Sequence, residues 1–134
     1  MKTESSQKNK NLKEKKMKHT LAIAALLALT ATPFFANAGN VNGKTYTKET
    51  VKAYSTDNYT VTFRGSEEAV VAVDGDGDTD LDLYIYDENG NLVGSDTDST
   101  DTCVVKWTPK WTGKFTIRVQ NRGSVYNRYE IATN

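Results

Sequence analysis

Histidine and cysteine are almost absent from this sequence. Among 134 residues there is one histidine, His19, and one cysteine, Cys103. Both limits become stricter once the ends are considered, because His19 lies in an N-terminal leader. From residue 39 onward there is no histidine. That excludes Ser-His-Asp and Cys-His nucleophilic machinery and any histidine-bearing zinc site. A single cysteine cannot form an intramolecular disulfide. Cys103 alternates with Val105 and Trp107 along one stretch, so it is expected to point into the core as a small hydrophobe. A long apolar run is also lacking. The longest, LAIAALLAL at 21–29, is too short to span a bilayer.

That run has another reading. Lys18 and His19 precede it, and Ala36-Asn37-Ala38 places small residues at the positions a signal peptidase recognises. Residues 1–38 are expected to be a secretory signal peptide cleaved after Ala38. The sixteen residues before Met17 are polar and basic, and Lys13-Glu14-Lys15-Lys16 reads in codons like a purine-rich ribosome-binding site. Translation is therefore expected to start at Met17, which the DNA sequence upstream of that codon would test.

Cleavage changes the charge. Of the 17 basic and 17 acidic residues, seven basic and two acidic precede residue 39, leaving ten against fifteen and a net charge of −5. An acidic domain is a poor partner for nucleic acid, whose binding rests on neutralising phosphates with Lys and Arg. A domain of about 96 residues buries roughly 60–65% of its unfolded surface, enough for one modest core.

No segment from Gly39 onward has helical periodicity. Short β-rich runs alternate with turn residues, and eight strands are expected at 50–55, 59–64, 69–74, 81–87, 92–95, 102–108, 114–120 and 126–132. Residues 39–55 begin as a polar leader or edge strand, and 56–134 form the domain proper. Leu81, Leu83 and Ile85 share one face, as do Phe115, Ile117 and Val119. One inward face per strand is what an antiparallel β-sandwich needs. Asn89-Gly90 is the strongest local turn signal and predicts a tight hairpin.

That hairpin returns the chain toward a group of carboxylates. Asp74, Asp76, Asp78, Asp80 and Asp82 occupy alternate positions in DGDGDTDLD, and folding back brings Asp78, Asp80 and Asp82 near Asp96 and Asp98, with Asp101 close by. Carboxylates this close raise one another's pKa unless a cation compensates. No Lys or Arg lies between Arg64 and Lys106, although a distant Arg could fold over. Ca²⁺ takes six to eight oxygen ligands and suits this composition. An EF-hand is excluded, because Thr79 stands at loop position 6 and Ile85 at position 12. Two readings stay open at this point: Asp74, Asp76, Asp78, Asp80, Asp82, Asp96 and Asp98 as calcium ligands, or a solvated acidic turn. A hydrolase using two of these aspartates is the weakest reading.

A second candidate surface is aromatic. Tyr84 and Tyr86 alternate with Leu83 and Ile85 and should face outward with Asp82, and Trp111 follows Pro109 in a turn. Exposed aromatics on a flat sheet can hold sugar rings or extended peptides. Trp107 is in phase with Cys103 and Val105 and is expected in the core. Arg118, Arg122 and Arg128 on the C-terminal hairpin are read either as a positive patch for a carboxylate-bearing partner or, preferably, as strand-edge charge that opposes aggregation.

Asp80 to Tyr84, Asn89-Gly90, Gly113 to Val119 and Tyr129 to Ile131 together resemble the bacterial pre-peptidase C-terminal domain family, over about residues 56–134. The resemblance implies a jelly-roll-like β-sandwich, secreted and non-catalytic. The related collagen-binding domains of clostridial collagenases bind calcium and use surface tyrosines. They also take calcium ligands from an acidic N-terminal linker, whereas residues 39–56 here hold Glu49 as their sole acid. The expected function is an exported binding module for an extracellular polymer or an exported protein. The alternative is an accessory or chaperone-like partner of a separately encoded exported peptidase.

Overall fold

The computed structural model describes residues 39–134. The expected signal peptide, its cleavage after Ala38 and the start at Met17 lie outside the described residues. Eight strands follow in order: β1 (Thr45–Val51), β2 (Thr56–Phe63), β3 (Ala69–Gly75), β4 (Leu81–Tyr86), β5 (Leu92–Asp96), β6 (Thr102–Trp107), β7 (Gly113–Asn121) and β8 (Asn127–Thr133). They form two four-stranded antiparallel sheets, ordered β1-β8-β3-β6 and β2-β7-β4-β5. This is the jelly-roll order, in which every connection crosses between two facing sheets except the β4-β5 hairpin. Among the described residues no helix is long and apolar enough to cross a membrane.

Strand alternation builds the core. Leu81, Leu83 and Ile85 of β4 meet Phe115, Ile117 and Val119 of β7 inside, together with Phe63, Val71, Val73, Val105 and Tyr129. Burying one such aliphatic side chain contributes about 1.5–3 kcal/mol. β3 is buried at five successive positions, Ala69–Val73, because it lies between β8 and β6. Cys103 is buried in this core, with its Sγ donating to the Leu81 carbonyl at 3.0 Å. Desolvation pushes its thiol pKa well above the ordinary range.

Two local features differ from the sequence expectation. The first strand lies at Thr45–Val51 rather than 50–55, as the edge strand beside β8. The chain has already turned by residue 55. Tyr54 adopts φ 52° and donates its N–H to Gly123, while Ser55 N–H bonds back to Lys52. Thr45, Tyr46, Thr47, Thr50 and Val51, each β-branched or aromatic, supply the strand instead. The hairpin after β4 is also not a two-residue turn. Such a turn in its I′ form needs positive φ at both central residues, and of the pair Asn89-Gly90 only Gly90 has it, at 82°. Asp87 reorganises this loop. Its Oδ1 accepts from the N–H groups of Asn89 and Asn91, each at 2.9 Å, and its Oδ2 accepts from the Asn91 side chain at 3.1 Å. These bonds, those to Asn91 foremost, hold the Asp87 carboxyl below the usual carboxylate range.

Candidate functional site

The acidic end is assembled from three loops. β4 pairs with β5 so that Leu83 faces Asp96, and Leu81 N–H bonds to the Thr100 carbonyl. This brings Asp80 into the field of Asp82, Asp98 and Asp101, as the hairpin geometry requires. Asp74 and Asp76 go elsewhere. Asp74 stands on β3 opposite Thr102 and Glu130, and its Oδ1 accepts from the Thr102 hydroxyl at 3.0 Å. Asp76 Oδ2 accepts from the Arg128 N–H at 3.1 Å, and its Oδ1 from the Asp78 N–H at 3.2 Å.

Most of these carboxylates cap the backbone of their own loops. Asp98 Oδ1 accepts from the N–H and hydroxyl of Thr100 at 2.8 and 2.7 Å. Asp96 Oδ2 accepts from Val104 N–H at 2.9 Å. Asp101, 3% exposed, accepts from Gly77 N–H and from the Asn127 side chain, tying the 75–77 loop to β8. Asp78 is exposed. Among the described residues, no group of three or more His, Cys, Asp or Glu side chains is arranged to hold a metal ion.

Two aspartates have a different character. Asp82 does not lie open beside the tyrosines as the alternation suggested: it is 6% exposed. Its Oδ2 accepts from the Tyr84 hydroxyl at 3.1 Å and faces Arg122 Nε at 3.7 Å. Arg122 is the distant cation that folds over this end. Asp80 Oδ1 is buried without any hydrogen-bond partner. Desolvation, then the neighbouring Asp82 and Asp98, raise its carboxyl above the usual carboxylate range, and Arg122 opposes the rise.

The outer face of the β2-β7-β4-β5 sheet carries an aromatic and polar row. Tyr84 and Tyr86 stack with ring centroids 6.4 Å apart. The Arg118 guanidinium lies over Tyr86, 5.2 Å from its ring centre, and its Nε approaches Asn58 Oδ1 at 3.4 Å. The row thus runs Asn58, Arg118, Tyr86, Tyr84, Asp82, Arg122 across β2, β7 and β4. Arg118 and Arg122, read from sequence as edge charge, are side chains of this row. Burial, followed by the bond to Asp82, raises the Tyr84 hydroxyl pKa, so Tyr84 remains a donor at neutral pH.

Trp111 is not on this row. It closes one end of the sandwich, 40% exposed, with its indole N–H donating to Glu88 Oε1 at 2.9 Å. The ring lies so near Gly113 that a Cβ at 113 would meet its Nε1 at 2.8 Å. Beside it is a cavity of about 400 Å³ whose walls include Trp107, Pro109 and Phe115. Trp107 is only half-buried, but it packs edge-on against Phe63 at 4.8 Å, at the margin of the core. A second depression, about 470 Å³, is an open trough among Lys48, Asp74, Asp76, Arg128 and Glu130, crossed by the Lys48–Glu130 ion pair at 3.1 Å.

No protein-family model matches the sequence, and no curated protein matches it. Solved structures do. The chain is similar to the pre-peptidase C-terminal domain of a collagenase from Bacillus anthracis, with a TM-score of 0.55 and 16% identity over 68% of this chain and 89% of that one. It is similar to PliG of Aeromonas hydrophila, a periplasmic inhibitor of g-type lysozyme, with a TM-score of 0.52 and 15% identity over 77% and 91%. It is also similar to the Yersinia pseudotuberculosis-derived mitogen, with a TM-score of 0.56 and 10% identity over 69% and 85%. At such identities the likeness is one of fold. The chain has the all-β sandwich architecture of the pre-peptidase C-terminal domain.

Proposed function

We propose that this chain is an exported, non-catalytic binding module whose outer β2-β7-β4-β5 face holds an extended polymer or protein segment. The observation that carries this reading is the Asn58–Arg118–Tyr86–Tyr84–Asp82–Arg122 row. Two stacked rings supply apolar contact area with little conformational freedom to lose. Arg118 and Asn58 on one side, and Arg122 beside the nearly buried Asp82 on the other, supply polar groups along the same line. A flat row of this kind suits a linear ligand better than a compact one. The likeness in fold to a collagenase domain and to a periplasmic lysozyme inhibitor supports non-catalytic binding and a place outside the cytoplasm.

The test is retention of the full chain on insoluble polysaccharide and on collagen. Tyr86→Ala should abolish retention while leaving the melting temperature close to wild type. Retention unchanged in a Tyr84→Ala, Tyr86→Ala double variant overturns this reading. The likeness to PliG also favours a second reading, an accessory partner of a separately encoded exported enzyme. Co-purification with an exported peptidase that Tyr86→Ala does not disturb would favour it.

Calcium belongs to the same proposal as a stabilising ion. The support for it is the orphan Oδ1 of Asp80 beside Asp82, Asp98 and Asp101. These carboxylates are not gathered into a shell, so an ion would have to draw them together against the hydrogen bonds some already accept. Thermal unfolding of the full chain in EDTA and in excess Ca²⁺ tests this. An ion bound only to the native state at 100-fold over its Kd adds about 2.7 kcal/mol. An unchanged midpoint removes calcium from the account.

A further inference from the structure

The cavity at the Trp111 end lies apart from the tyrosine row of the outer face. The Trp111 ring is held by Glu88 Oε1 at 2.9 Å and by the close approach of Gly113. Trp107 is held by Phe63 at 4.8 Å and Phe115 at 5.5 Å. Between these rings lies about 400 Å³, bounded also by Pro109, Asp87 and Lys110. That volume is within the range of small-ligand pockets. The second observation is independent of shape. The indole N–H of Trp107 is buried and has no acceptor, although a buried donor left unpaired costs about 1–3 kcal/mol.

We propose that this cavity binds a single neutral sugar ring. One indole face offers an apolar platform to the C–H side of a pyranose, and the rim offers polar groups to its hydroxyl edge. Its lining includes one charge of each sign, Lys110 and an Asp87 carboxylate already taken up by Asn89 and Asn91, so the site favours neither an anion nor a cation. That N–H is closed to water, so Trp107 must turn toward the cavity before a ring hydroxyl or an acetamido carbonyl can accept from it. The site is separate from the tyrosine row and stands or falls without it.

The sequence makes the test specific. The chain contains two tryptophans, and both line this cavity. The two indole N–H resonances of the full chain, and its tryptophan fluorescence, therefore report on this site. Glucose, galactose and N-acetylglucosamine are titrated separately, with triproline as the peptide control. The expected result is a saturable shift of the Trp107 indole resonance by at least one monosaccharide, with a Kd on the order of 1 mM. Trp111→Ala should weaken it by about tenfold, the loss of one stacking contact, and Tyr54→Ala, at an exposed tyrosine outside both surfaces, should leave it unchanged. No saturable shift with any of the three sugars overturns the proposal whether or not Trp111→Ala folds. A shift with triproline and none with sugar also overturns it, and would make the cavity a peptide site.

Discussion

Arg122 Nε lies 3.7 Å from Asp82 Oδ2, and the two residues stand forty positions apart in the chain. Arg122 follows β7 and Asp82 is the second residue of β4. The pairing of β4 with β7 sets Leu81 opposite Asn121 and so delivers the guanidinium to the acidic end. Asp82 is nearly buried while Arg122 is half exposed. Removing the cation with Arg122→Ala should therefore lower stability by about 1 kcal/mol, near the top of the range for exposed pairs. For a domain of this size that is about 4–8 °C in Tm. The loss should be greatest at low ionic strength, because salt screens the repulsion it exposes. A Tm unaffected at low salt would show that Asp82 rests on Tyr84 alone.

Asp80 should act against the fold at neutral pH in EDTA. Its folded pKa is raised, so the stability linked to it is present below the unfolded value and is lost as pH rises through the folded one. Asp80→Asn removes that ionisation. The variant should melt above wild type at pH 7, and the difference should shrink toward pH 3, where the wild-type carboxyl is protonated. Melting curves across that pH range check the sign.

Tyr129 should set an alkaline limit. It is 2% exposed, and its hydroxyl donates to Asp57 Oδ2 at 2.8 Å and meets the Tyr59 hydroxyl. Desolvation, followed by the bond to Tyr59, drives its pKa far above the ordinary value. Tyr59 is raised as well, chiefly by desolvation. Both groups stabilise the fold fully below their unfolded pKa of about 10, and that stability is lost as pH rises above it. Tyr129→Phe should cost about 1–3 kcal/mol at pH 7, by leaving buried partners unpaired. It should also flatten the fall in Tm between pH 9 and pH 11.

Cys103 should be inert in the native state. Its Sγ is bonded to the Leu81 carbonyl inside the core, and its raised pKa keeps it a thiol. A thiol-reactive dye should label the chain fully in guanidinium and not at all in buffer over the same time. Labelling in buffer would mean that β6 opens locally at much lower cost than global unfolding.

Much of the fold is legible in residues that speak for themselves. Leu81, Leu83 and Ile85 are buried while Tyr84 and Tyr86, in the opposite phase, are only half-buried, because a strand sends successive side chains to opposite faces. The same rule identifies Cys103 and Val105 as inward and Val104 as outward. Trp107 is less clear. It keeps the phase but stands at the sandwich end, where no next layer covers it. The turn at Asp87 was harder to read, because its side-chain hydrogen bonds, not the Asn-Gly pair, organise the loop.

The sequence by itself determined an all-β sandwich, its inward residues and the meeting of Asp80 with Asp98, because all three follow from strand alternation and one local hairpin. Only the tertiary structure decided what the chemistry-bearing side chains do. The order β2-β7-β4-β5 brings Arg118 to Tyr86 and Arg122 to Asp82. The order β1-β8-β3-β6 carries Asp74 and Asp76 to Thr102 and Arg128. Trp111 is held by Glu88 at the end of the sandwich, away from the tyrosines it accompanies in composition. Each of these contacts joins residues distant in sequence, so each depends on which strands become neighbours, which no local pattern encodes.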